Sequence, residues 1–119
     1  MRAYLLVAVG GAVGAAARWG VGDAIDRQPG AFPWATFLVN VVGCLVIGVA
    51  ARQLVRGSDR WLAVVTGFLG GLTTYSTFAN ETRELLDAGR GGMALLYVAS
   101  TVVIGLAATE LARGDWSRE

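Results

Sequence analysis

The chain contains no histidine and no lysine, one cysteine and two prolines. Without histidine, the usual general base near neutral pH and the commonest metal ligand are missing. The lone Cys44 excludes an intrachain disulfide and any cysteine-based metal cluster, and in an apolar stretch it reads as a small packing residue. All ten basic residues are arginines, set against nine acidic residues for a formal net charge of +1. No basic patch of the kind nucleic acid requires can be assembled from them, so no nucleic-acid partner is expected. Charge is scarce (16% of residues) and clustered, leaving long segments with none. No nucleophile–base pair lies within those segments, which argues against an enzyme.

What fills the chain is apolar: 55% of its 119 residues are hydrophobic and the mean hydropathy is +0.54. Four runs lack charge: residues 3–17, 28–51, 61–80 and 91–109. A membrane-spanning helix needs about 20 such residues. Three runs reach that length directly, and the first does so once Arg18 is taken into the helix. The whole chain, residues 1–119, is therefore expected to be a single all-α, integral membrane domain of four transmembrane helices. Met1 and Arg2 before an apolar stretch mimic a secretory signal, but the later spans argue against its removal. Tryptophan favours the membrane–water interface, and Trp19, Trp34, Trp61 and Trp116 fall at span ends. Pro33 suits the first turn of the second helix.

Four spans put both termini on one side, with Arg2, Arg52, Arg56, Arg60, Arg113 and Arg118. The other side holds Arg27, Arg83 and Arg90, with Arg18 near its membrane face. The asymmetry is modest and also suits insertion in both orientations.

The most informative segment is GFLGGLTTYSTF, residues 67–78. It lies within the third uncharged run, where a lipid-facing helix would carry leucine, isoleucine and valine. Paired glycines and four hydroxyls (Thr73, Thr74, Ser76, Thr77) predict a helix broken mid-membrane. Such irregularity is tolerated only where protein or a water-filled cavity satisfies the freed backbone groups, so the break points to a pathway or an ion site. Tyr75 and Phe78 share a face on a resumed helix, and ring edges attract anions whereas ring faces attract cations.

Other polar residues recur at four-residue spacing. Thr36, Asn40, Cys44 and Gly48 form a stripe on the second span. An interhelical hydrogen bond accounts for Asn40; so does an amide that replaces water around an anion. Tyr97, Thr101, Gly105 and Thr109 form a ladder on the fourth span, although hydroxyls also bond back to their own helix. Arg18 follows Gly10 and Gly14 at the same spacing, either snorkelling to the interface or lining the mouth of an anion route. The glycines themselves suit close helix packing. No carboxylate is expected within a span core, since Glu81, Arg83 and Glu84 read as the amphipathic end of the third span. That absence favours a passive anion route over proton coupling.

Three motifs in order, GGAVGAAARW (residues 10–19), LVNVVG (residues 38–43) and GFLGGLTTYSTF, resemble those of the CrcB/Fluc fluoride channels, and the likeness covers nearly the whole chain. The resemblance implies a fluoride-selective passive channel of the bacterial inner membrane that confers fluoride resistance. It implies an antiparallel, dual-topology homodimer with two fluoride pathways, the partner being a second copy or a homologous subunit. It also implies a central structural sodium ion, held here by the backbone carbonyls of Gly70 and Thr73. Arg18 would be the first-helix arginine, Asn40 the vestibule donor, Tyr75 and Phe78 the aromatic box, and Ser76, Thr77, Tyr97 and Thr101 the polar track. Two positions depart from the family pattern. Tyr75 stands where phenylalanine is common, and Gly105 lacks a hydroxyl that some members carry. The competing readings are a small multidrug-type exporter, which would need a glutamate that the first span lacks, and an assembly subunit without transport.

Overall fold

The computed structural model describes residues 1–114; Trp116 and Arg118, used above for boundaries and orientation, lie outside the described residues. The apolar runs become helices. Helix α1 spans Arg2–Ala24 and α2 spans Trp34–Gln53. A short α3, Asp59–Trp61, leads into a π-helical segment, Leu62–Leu69, followed by α4, Gly70–Leu72. Helix α5 runs Tyr75–Asp87 and α6 runs Gly91–Arg113. Taking Asp59–Asp87 as one stretch, four helices are long and apolar enough to cross a membrane. At 1.5 Å per residue, the 23 residues of α1 extend about 35 Å, enough for a hydrocarbon core of about 30 Å.

Local chemistry explains the ends. Pro33 lies one residue before the first turn, as the N-cap of α2, and its carbonyl accepts from the Phe37 N–H at 3.1 Å. The Ser58 hydroxyl accepts from Trp61 N–H at 3.2 Å and starts α3. Gly114, at φ 64°, closes α6 in the left-handed conformation that glycine adopts without strain. Beyond residue 80 the third span continues without interruption to Asp87.

Two backbone-close pairings organise the chain. Helix α1 lies along the π-helical segment and α4, while α2 lies along α6. In the first pairing a Cβ at Gly10 would collide with the Ala63 carbonyl, at Gly14 with the Phe68 carbonyl and at Gly71 with the Gly11 carbonyl. Lipid tails are as apolar as the helices, so close van der Waals contact must replace the hydrophobic drive. Glycine is what permits it. Two buried clusters fill the remaining space. One joins Phe37, Leu85, Ala94 and Tyr97 with Phe32 and Phe78; the other joins Val39, Leu69 and Leu72 with Val65 and Phe68. The result is a slab of 46 × 40 × 20 Å. Many of its large apolar side chains face outward, among them Leu5, Val9, Val103 and Leu106, as a hydrocarbon environment allows.

Gly14→Val is expected to destabilise the protein by about 2 kcal/mol or more, because the added carbons meet backbone, not a movable side chain. The fraction that stays monodisperse in detergent after heating should fall. Gly20→Ala, with open space at its Cβ position, serves as the control.

Candidate functional site

Helicity stops after Leu72. Thr73 (φ −81°, ψ 154°) and Thr74 (φ −149°, ψ 125°) are extended before α5 begins at Tyr75. Two backbone groups of Thr74 are taken up by one side chain from α2. Asn40 Nδ2 donates to the Thr74 carbonyl at 3.1 Å, and the Thr74 N–H donates to Asn40 Oδ1 at 2.9 Å. This reciprocal pair fixes which end of the amide is nitrogen, and it leaves the second Nδ2 hydrogen for another acceptor. Asn40 therefore makes the interhelical hydrogen bond that its sequence context allowed, with a donor to spare.

The hydroxyl run has local duties. Thr74 Oγ1 caps α5, accepting from the Thr77 N–H at 3.1 Å, and donates to Thr77 Oγ1 at 3.1 Å. Ser76 Oγ lies 3.3 Å from the same hydroxyl. Thr73 Oγ1 donates back to the Leu69 carbonyl at 2.8 Å. An unbroken helix would aim the Thr74 N–H at Gly70 and the Thr77 N–H at Thr73. Both donors are engaged elsewhere, so the Gly70 and Thr73 carbonyls are released. Oxygen-only donors of this kind suit a hard cation. The described residues hold no group of three or more histidine, cysteine, aspartate or glutamate side chains that could ligate one.

All the expected site residues but Ser76 and Tyr97 divide between two cavities that share Thr74 as a wall. A groove of about 590 Å³ is lined by Asn40, Gly70, Thr73, Tyr75, Phe78 and Thr101, with Cys44, Gly105 and Thr109 further along. The Tyr75 and Phe78 rings are 6.1 Å apart at 44°, and Tyr75 is 81% exposed. Thr101 Oγ1 is buried without a partner among the described residues. Thr109 donates to the Cys44 and Gly105 carbonyls, joining α6 to α2. Arg18 and Thr77 instead line a second cavity of about 360 Å³, together with Thr36, Arg27 and Glu81. Tyr97 is fully buried and lines neither; its ring packs 5.0 Å from Phe78.

Glu81, expected on the amphipathic end of the third span, lies there but turns inward. It is only 9% exposed. Tyr97 OH donates to its Oε2 at 2.7 Å and Thr36 Oγ1 to its Oε1 at 2.9 Å. Arg27 Nη1 stands 3.9 Å away and donates to Glu84 at 2.8 Å. Burying a carboxylate is costly unless donors surround it, and here α2, α6 and the α1–α2 loop supply them. The usable sequence signal was spacing: Glu81 lies one helical turn after Phe78 and Thr77, on the inward side.

Four membrane-length helices with their polar groups gathered along an inner seam define a small multi-pass membrane protein. A family model described as "CrcB-like protein, Camphor Resistance (CrcB)" matches residues 5–113. The relatives include a protein of Rhodococcus jostii named fluoride-specific ion channel FluC 2, 48% identical over 90% of this chain and 92% of its own. Proteins named fluoride-specific ion channel FluC from Acidobacterium capsulatum (45% identical, covering 91% of this chain and 90% of its own) and Bordetella petrii (46%, 91% and 86%) are similar along the same length. The chain belongs to the CrcB family.

Tyr97→Phe keeps the ring against Phe78 but removes a donor from a buried carboxylate. A loss of about 1–3 kcal/mol is expected, read as a lower melting midpoint in detergent. An unchanged midpoint would show that Glu81 does not depend on that hydroxyl.

Proposed function

We propose that this protein is a passive, fluoride-selective channel, not an enzyme, that lets cytoplasmic fluoride leave across a bacterial inner membrane and so limits its toxicity. The observation that carries the reading is the pair of hydrogen bonds by which Asn40 holds the extended backbone at Thr74. The third span is then a helix broken at membrane depth, and the break presents a hydrogen-bond donor and freed carbonyls to the groove. The names of the relatives, fluoride-specific ion channels similar over most of the chain, support the choice of ion.

Fluoride is small and holds its water tightly, so a route must offer donors in close succession. Arg18, on the second cavity, raises anion concentration at the entrance and disfavours cations. The spare Nδ2 hydrogen of Asn40, the edges of Tyr75 and Phe78, and the hydroxyls of Ser76, Thr77 and Thr101 would take over from water. Tyr97 would contribute by holding Glu81 and packing Phe78. The shared wall at Thr74 makes the Asn40–Thr74 pair the junction between the two cavities.

The functional unit is an antiparallel, dual-topology homodimer with two pores. Its support is the groove itself, which leaves Tyr75 and Gly70 exposed along one face of a thin slab. Gly70 and Thr73 fit a structural sodium ion at the dimer centre. Their released carbonyls, with the same pair from a second copy, make a hard-oxygen donor set, and the ion would supply fixed positive charge between the subunits.

Purified protein in liposomes, clamped with valinomycin and potassium, should release fluoride rapidly and retain chloride. Folded dimers that release no fluoride would overturn the channel reading and turn attention to a missing homologous subunit or an assembly role. In the same assay Asn40→Asp should cut flux at least tenfold. A carboxylate repels the anion, and it also faces the Thr74 carbonyl with no hydrogen to donate. Phe78→Ile should slow flux by removing a ring edge, and full flux in that variant would remove Phe78 from the route.

A further inference from the structure

Glu81 presents a contradiction to an anion route. Its carboxylate lines the second cavity, where an entering anion would meet a like charge. The charged residues on that cavity are Arg18, Arg27 and Glu81, which together leave one net positive charge. Take Arg27 away and the balance is zero. Next to it lies a third cavity of about 90 Å³, lined by Asp26 and Glu81, where Arg27 is the one cation on the wall. Arg27 and Glu81, with Ile25 and Ala35, thus line both the second and third cavities, and they are the charged members of that shared wall.

The position of Arg27 is built, not incidental. It sits in the α1–α2 connection, its side chain only 28% exposed, and Glu84 of α5 accepts from Nη1 at 2.8 Å. Glu84 is itself steadied by Asn80, whose Nδ2 donates to the other carboxylate oxygen at 2.7 Å. The same Nη1 faces Glu81 at 3.9 Å. Arg27 Nε is buried and has no partner among the described residues, although a guanidinium in a closed space ordinarily engages its donors. Burial closes Nε to water, so the guanidinium acts on the second cavity through its charge, set beside a carboxylate that Thr36 and Tyr97 already hold.

Resting on the channel reading above, we propose that Arg27, tethered by Glu84, is a positioning residue for anion entry. It cancels the charge of Glu81 so that the second cavity keeps the net positive charge set by Arg18 and accepts anions. The groups facing Glu81 are Thr36 from α2, Tyr97 from α6 and Arg27 from the loop, with Arg18 of α1 across the cavity and Asp26 on the third cavity.

The test is fluoride efflux from liposomes, with folded dimer verified by size exclusion for each variant. Arg27→Gln should lower flux roughly tenfold or more, the scale of one uncompensated charge near the route at an effective dielectric constant of about 20. Arg27→Lys should recover most of the rate, which a role in shape alone would not predict. The deciding variant is Arg27→Gln with Glu81→Gln, which returns the cavity to one net positive charge. Flux above that of Arg27→Gln alone supports the proposal; flux equal to or below it overturns it. Wild-type flux in Arg27→Gln also overturns it. If Arg27→Gln does not fold, Glu84→Gln takes its place, since it releases the tether from an exposed position. A fall of several-fold is expected there, and wild-type flux rejects the proposal. These failures differ from failure of the channel reading, in which the wild-type protein itself would release no fluoride.

Discussion

The structure depends on one amide. A chain passing through an apolar slab cannot leave its helical path without exposing peptide groups, and an unsatisfied group in hydrocarbon costs several kcal/mol. Asn40 removes that obstacle for Thr74, giving an acceptor to its N–H and a donor to its carbonyl. Once this is met, the neighbouring helix can restart with Thr74 as its own cap. The carbonyls of Gly70 and Thr73 lose their helical donors as a direct consequence. A spare amide hydrogen on α2 and freed carbonyls on the third span thus arise from the same event.

The glycine contacts set the stage on which that amide acts. Helix α1 is held to the π-helical segment at backbone distance by Gly10, Gly14, Gly67 and Gly71. Wider i→i+5 bonding is rare and tends to occur near functional positions. Here it occupies the turns just before the extended residues. Close packing on the α1 side leaves the opposite side of the same segment to form the groove wall through Val65, Leu69 and Gly70. One face of the third span is therefore committed to rigid packing and the other to an open polar surface.

Much of this was readable in the residues, and what was not has a physical reason. Uncharged length located the four helices, because a membrane imposes a length that few other environments do. The glycine faces were legible since small residues at four-residue spacing have few other uses in apolar helices. Side-chain partnership was harder. The four hydroxyls of residues 73–77 marked a break in the sequence, but not that Thr73 and Thr74 would be bound to their own backbone neighbourhood. Tyr97 and Thr101 shared a ladder in sequence, but the first is enclosed by aromatic rings and the second faces the groove. Glu81 was missed because its neighbours Arg83 and Glu84 are exposed and made the whole stretch look polar. Only the tertiary contacts with Thr36 and Tyr97 distinguish it from them.

The exposed groove bears on what one chain can be by itself. Lipid can cover Leu106 and Ile47 along its length, but it offers nothing to the freed carbonyls or to the second hydrogen of the Asn40 amide. Water can satisfy them only inside a cavity, and a groove open along a slab 20 Å thick needs another surface to become one. That surface must be apolar where it meets α6 and must tolerate the Tyr75 ring, which stands out from the face. On the proposed homodimer reading, a copy of the same chain would meet both conditions, because the same groove provides an apolar wall at Val102 and Leu106 and a space beside Phe78. In the proposed channel, the extended residues Thr73 and Thr74 are thus both the source of the polar groups on the groove and the reason that a second subunit is called for.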